Sequence, residues 1–217
     1  MLCAAELRLY GCNWLECPII QYLQDIVTIQ ESIWRMRPDM IFETDIAHGG
    51  WLIFSASMLE LNAAGGGPAD ARVLAVDIDI REHNREATQA HPMSRRITML
   101  QGSSVAPEIV EQVRAHAVGR QRVLVSLNSN HTHEHVLAEL QAYAPLVTPG
   151  SYCIVFDTVI EDMPVESFAD RPWGPGNGPK SAVRECLRES SAFLVDRASS
   201  RKLLVSGAPE SCLERVV

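Results

Sequence analysis

The chain has 217 residues, a formal net charge of −8 at pH 7, and 47% hydrophobic and 21% charged residues, enough for one globular core. No window approaches the roughly 18 consecutive apolar residues of a membrane span. The acidic balance speaks against a nucleic-acid partner, because basic clusters such as Arg95 and Arg96 are too short to outweigh it.

The start, "MLCAAELRLYGCNW", has no apolar core followed by a small-residue cleavage site, so a cytoplasmic protein without a signal peptide is expected. Cys3, Cys12, Cys17, Cys153, Cys186 and Cys212 form no C-x-x-C pair and no zinc spacing, and are expected to be reduced and structural. In chain order, "PIIQYLQDIVTIQESIWRM" (18–36) predicts a helix covering a sheet edge, within an N-terminal segment spanning 1–37. Short runs rich in Val, Ile and Leu at 40–44, 72–79, 96–100, 122–128 and 151–157 predict five parallel strands. Between them, 51–64, 81–91, 107–117 and 134–147 predict helices. The end, "FLVDRASSRKLLVSGAP", predicts two more strands joined by a polar turn at Ala198 to Arg201, an antiparallel edge hairpin. Right-handed crossovers then give a single α/β domain over 1–217, with a doubly wound, mostly parallel Rossmann-like sheet of about seven strands.

Ligands of such sheets bind beyond the carboxyl ends of the strands, and those ends are polar here. The first strand ends in Glu43 and leads to His48, Gly49 and Gly50; the second ends in Asp77 and Asp79; the third runs into Ser103 and Ser104. The fourth reaches "NSNHTH" (128–133), and the fifth delivers Asp157, followed by Glu161 and Asp162. A carboxylate at the tip of the second strand suits ribose hydroxyls, and glycines after the first let backbone approach a ligand. Together they outline a nucleoside-shaped pocket.

The segments "ETDIAHGGWLIFSASMLEL", "VLAVDIDIREHNREA", "GSSV", "NSNHTHEHVLAEL", "DTVIEDMP" and "DRPWGPGNGPKSAV" resemble the cephalosporin hydroxylase family, whose members have the class I S-adenosylmethionine (SAM)-dependent methyltransferase fold. The resemblance implies donor contacts at Glu43, Gly49, Gly50, Asp77 and Asp79. It also implies a magnesium site where Asn128 stands at an aspartate position and Asp157 at an acid, with Glu161 and Asp162 as further candidates. Three departures cluster at these sites: Asp45 replaces a glycine, Trp51 a serine, and Asn128 an aspartate. Asp45 adds bulk and charge facing the donor's carboxylate, Trp51 could fill the volume, and a neutral amide holds magnesium poorly. Alternatively, Asp45 turns outward in an Asx-type turn and Trp51 faces the core.

These departures lead to an expectation of no cofactor and no metal, with Asp157, Glu161 and Asp162 vestigial. The chain is then a natural-product enzyme promoting a cyclisation or isomerisation in the former donor pocket. His131, His133, Asn128 and Asp45 would act on a small-molecule substrate, while His135 is expected on the helix surface. Trp173 and Lys180 are candidate contacts in a loop over the strand ends. One alternative is a SAM- and magnesium-dependent O-methyltransferase of a small-molecule or sugar hydroxyl. Another is a non-catalytic partner of an active methyltransferase. A homo-oligomer is compatible with all three.

Overall fold

The computed structural model describes residues 12–203 and 205–217; the first eleven residues of the expected N-terminal segment, Cys3 included, lie outside them. The described chain opens with an antiparallel ribbon, β1 (Cys12–Trp14) and β2 (Cys17–Ile19), followed by α1 (Leu23–Met36). The predicted helix over 18–36 therefore starts five residues later than expected, because Cys17 to Ile19 pair with the strand before them.

Alternation then runs as predicted: β3 (Met40–Thr44), α2 (Gly50–Ala64), β4 (Arg72–Asp77), α3 (Glu82–Ala90), β5 (Ile97–Gln101), α4 (Pro107–Ala117), β6 (Val123–Leu127), α5 (His133–Tyr143) and β7 (Tyr152–Val155). Proline at the first position of α4 costs no hydrogen bond and presets the helical φ, so the sequence locates that helix well. After two short 3-10 turns come α6 (Pro179–Glu189), β8 (Phe193–Val195), α7 (Arg197–Arg201) and β9 (Cys212–Arg215).

The seven-stranded sheet has the order β5-β4-β3-β6-β7-β9-β8, parallel from β5 through β7, with β9 antiparallel to both of its neighbours. The C-terminal strands are antiparallel as expected, but they form no tight hairpin. Ala198 to Arg201 belong to α7, the apolar Leu203 makes no strand, and the second strand comes at Cys212. β9 is the strand inserted between β7 and β8, so β8 alone forms that edge.

Alternating side chains feed two cores. Ile41, Val73, Ala75 and Ile154 pack under α1 and α2. Met40, Phe42, Leu74, Val125 and Val155 pack under α4, α5 and α6. α2 is apolar all round because it is buried on both sides, between the sheet and the ribbon. Strand order reverses between β3 and β6, and this switch point opens a crevice at the carboxyl ends of the strands.

Candidate active site

The loop leaving β3 is held in an unusual backbone path. Asp45 (φ 73°), Ala47 (φ 45°) and Gly49 (φ 85°) all have left-handed conformations, which side chains with a Cβ adopt at a cost. Hydrogen bonds fix the path: Asp45 N donates to Val76 O (2.9 Å), Asn84 Nδ2 to Ala47 O (2.6 Å) and Gly49 N to Ile46 O (2.7 Å). The Asp77 carboxylate accepts from Ile46 N (2.9 Å), Ala47 N (3.3 Å) and Asp79 N (2.9 Å). The β4 acid that the sequence assigns to ribose thus steadies the β3 loop, while Asp79 is exposed.

Asp45 faces this acid. Burial first, then the charge of Asp77, push the Asp45 carboxyl up to about 7. Beneath the loop Glu43 is 1% exposed, accepts a hydrogen bond from Ser55 Oγ, and leaves Oε2 without a partner among the described residues. Burial pushes its carboxyl up to about 8.

The two glycines answer different needs. Gly49 needs its positive φ, whereas a Cβ on Gly50 would run into the Pro18 carbonyl of the ribbon. Close approach at Gly50 is to the protein's own backbone. Trp51 faces the core: it donates Nε1–H to Ser126 Oγ (3.3 Å), stacks on Phe54 (4.6 Å between centroids) and meets Phe156 edge-on (5.2 Å). The expectation that Trp51 fills the donor pocket gives way to this core packing. The space left between Pro18, Gln21, Asp45, His48, Trp51 and Asn128 is about 10 Å³, room for at most one water.

Beside it lies a cavity of about 280 Å³ lined by Asp45, Asp77, Ile78, the Gly102–Ser104 turn, Ser129, Asn130, His135 and Trp173. Larger cavities of about 560 and 370 Å³ lie near Arg122 and Tyr152 and between α1 and β9, with none of these strand-end residues in their walls.

After β6, Asn128 N donates to Thr44 Oγ1 (3.0 Å), and its buried Oδ1 has no partner among the described residues. His131 Nε2 lies 3.6 Å from Asp157 Oδ2, and its ring meets Trp173 edge-on at 5.0 Å. Asp157 follows β7 with φ 56°, and burial pushes its carboxyl up, with His131 opposing that shift. His133 turns away from the cavity, with Nδ1 at 2.7 Å from Ser181 Oγ and Nε2 at 3.2 Å from Glu185 on α6. His135, expected on the helix surface, instead points inward to Ser104 Oγ (3.1 Å), Ser129 Oγ (3.2 Å) and the fully buried Glu139 (3.6 Å). Glu139, Ser129 and Asn130 were not singled out in the sequence. A carboxylate amid the apolar positions of α5 was the available signal.

Glu161 is held by Arg184 (3.0 Å) and Gly176 N (2.8 Å), and Asp162 by Lys180 (2.7 Å), which also reaches Glu210 (3.3 Å). These pairs tie both acids to cations from α6. Among the described residues, no three His, Cys, Asp or Glu side chains converge as a metal centre. The oxygens left at the ends of β6 and β7 are the unpartnered Asn128 Oδ1 and the Asp157 carboxylate, a set that suits a magnesium ion keeping most of its waters. The 280 Å³ cavity is large enough for the nucleoside part of SAM, and Glu43 Oε2 is left unpartnered behind the loop among the described residues.

Solved structures of this fold include CmcI in an aspartate form with magnesium and SAM (18% identity, TM-score 0.65, covering 96% of this chain and 78% of that one). Another is CmcI in an asparagine form with S-adenosylhomocysteine (SAH; 17% identity, TM-score 0.64, covering 96% and 84%). Among curated proteins, the rhamnosyl O-methyltransferase of Mycobacterium leprae (strain TN) is 29% identical over 181 residues, spanning 82% of this chain and 71% of its own. These findings overturn the expectation of a cofactor-free, metal-independent cyclase or isomerase: the similar proteins are named methyltransferases or hold SAM, SAH and magnesium. The sequence matches the family described as Rhamnosyl O-methyltransferase/CmcI over residues 7–216, and the chain belongs to that family.

Proposed function

We propose that the protein is a SAM-dependent O-methyltransferase, magnesium-assisted, acting on a hydroxyl of a small molecule, with a sugar hydroxyl foremost. The observation that carries this reading is the nucleoside-sized cavity at the switch point, bounded by Asp77, the Gly102–Ser104 turn and Ser129, in a chain of this family.

SAM would supply the methyl group as an electrophile, and magnesium held by Asp157 and Asn128 Oδ1 would polarise the acceptor oxygen. The chain's own groups do the rest. Asp77 and the Gly102–Ser104 turn bind the nucleoside, and Trp173, which lines the same cavity, offers an aromatic contact to the acceptor. His131 is the candidate base for the acceptor hydroxyl, its ring oriented by Asp157 and by contact with Trp173. His133, tied to α6, is left with a structural role.

The test is calorimetric titration with SAH, followed by transfer of labelled methyl from SAM to a panel of glycosides and phenols. Micromolar SAH binding and a methylated product are expected, with His131→Ala lowering kcat by about 10²-fold or more. Failure of the unmodified chain to bind SAH or to methylate any acceptor overturns the reading.

A further inference from the structure

One face of α5 carries His135, Glu139 and Tyr143 at successive i, i+4 positions, and all three engage the two loops that wall the nucleoside cavity. Tyr143 donates its hydroxyl to Ser104 O, anchoring the Gly102–Ser104 turn from below. Ser129 Oγ donates to Glu139 Oε1 (2.6 Å), anchoring the other wall.

The donor and acceptor inventory then fixes the protons. The single hydroxyl proton of Ser129 is spent on Glu139 Oε1. Ser129 Oγ, 3.2 Å from His135 Nε2, can therefore only accept from that nitrogen. Nε2 consequently carries the ring's proton. Ser104 Oγ, 3.1 Å from the same protonated nitrogen, must accept as well. Its own proton is left free, and Ser104, only 5% exposed, lines the cavity. Glu139 is fully buried with Oε2 unpartnered among the described residues, a cost that stability alone does not recommend.

We infer that His135 and Glu139 are positioning residues that hold the Ser104 hydroxyl as a hydrogen-bond donor aimed into the cavity, where it meets a ring nitrogen of the donor's adenine. The inference rests on the methyltransferase reading and adds to it how the base is recognised. Ser104 reads an acceptor nitrogen. His135 sets the direction of the Ser104 proton, and Glu139 sets the tautomer of His135 through Ser129.

The experiment is calorimetric titration of SAH and its 1-deaza, 3-deaza and 7-deaza analogues into the unmodified chain, His135→Ala, His135→Gln and Ser104→Ala. In the unmodified chain one analogue should bind about tenfold more weakly than SAH, the effect of one lost hydrogen bond. That penalty should vanish in Ser104→Ala and in His135→Ala. It should return in His135→Gln, whose amide N–H can donate to the same hydroxyls. Circular dichroism with a thermal melt confirms that each variant is folded. Equal binding of all four ligands by the unmodified chain overturns the inference, as does a penalty that persists in folded His135→Ala. Absence of any SAH binding by the unmodified chain overturns both this and the methyltransferase reading, whereas SAH binding with unaltered ratios overturns only this one.

Discussion

Asp45 sits in a left-handed backbone conformation beside Asp77, and this setting gives it a measurable signature. In the unfolded chain Glu43 and Asp45 ionise near pH 4, whereas the native chain keeps their protons until about pH 8 and about pH 7. Between those limits the native state binds more protons than the unfolded one. Stability contributed by these groups is therefore complete below about pH 4 and is lost as pH rises toward 7 and 8. Scanning calorimetry should show a melting temperature that falls from pH 5 to pH 8. Asp45→Asn, which keeps the shape and tolerates a left-handed backbone, should flatten that fall. Each carboxyl contributes a slope of at most about 1.4 kcal/mol per pH unit. Identical slopes in the two proteins would show that Asp45 is ionised in the native state.

The ribbon β1–β2 is the element that packs against the loop between β3 and α2 from outside. It seats the Pro18 carbonyl against Gly50, packs Trp14 edge-on against Phe54 at 5.0 Å, and bonds Trp14 Nε1 to Ser57 Oγ at 3.0 Å. Alanine normally helps a helix, but at position 50 it should cost about 1–3 kcal/mol by overpacking and should push the ribbon away. Denaturant unfolding measures the first effect, and a red shift of tryptophan emission as Trp14 gains water reports the second. Unchanged stability and emission would mean that the ribbon does not press on α2. The ribbon was not legible in the sequence, because two three-residue strands are too short to show a period. The five parallel strands were legible, since each carries a short run rich in Val, Ile, Leu or Met next to polar turns, and Pro107 marked the start of α4. The site was legible where strand ends decide it, at Asp77, Ser103 and Ser104. It was hidden where side-chain direction decides it: Trp51 turns to the core, His133 to α6, and His135 inward. The C-terminal strand was misplaced because the apolar run at Leu203 outweighed the weaker pattern at Cys212 to Arg215.

At the scale of the molecule, the sheet divides at its switch point into β5-β4-β3 on one side and the strands from β6 onward on the other, with β9 lying between β7 and β8. Leu213 of β9 is 1% exposed and lies in the core shared by β7, α5 and α6, so Leu213→Ala should lower stability by about 2–5 kcal/mol in urea unfolding. A loss below about 1 kcal/mol would mark the far side of the sheet as a loosely attached margin. The position of β9 also bears on how the protein is made. A ribosome releases β3 to β7 well before β9, yet β7 has no neighbour on its outer side until β9 arrives, and β8 cannot join the sheet without it. The nascent chain thus carries the open backbone of Tyr152 to Val155 until β9 has been made, beside other copies emerging from the same messenger. Slow synthesis of the segment between β7 and β9 prolongs that exposure, and chaperone engagement is most needed there.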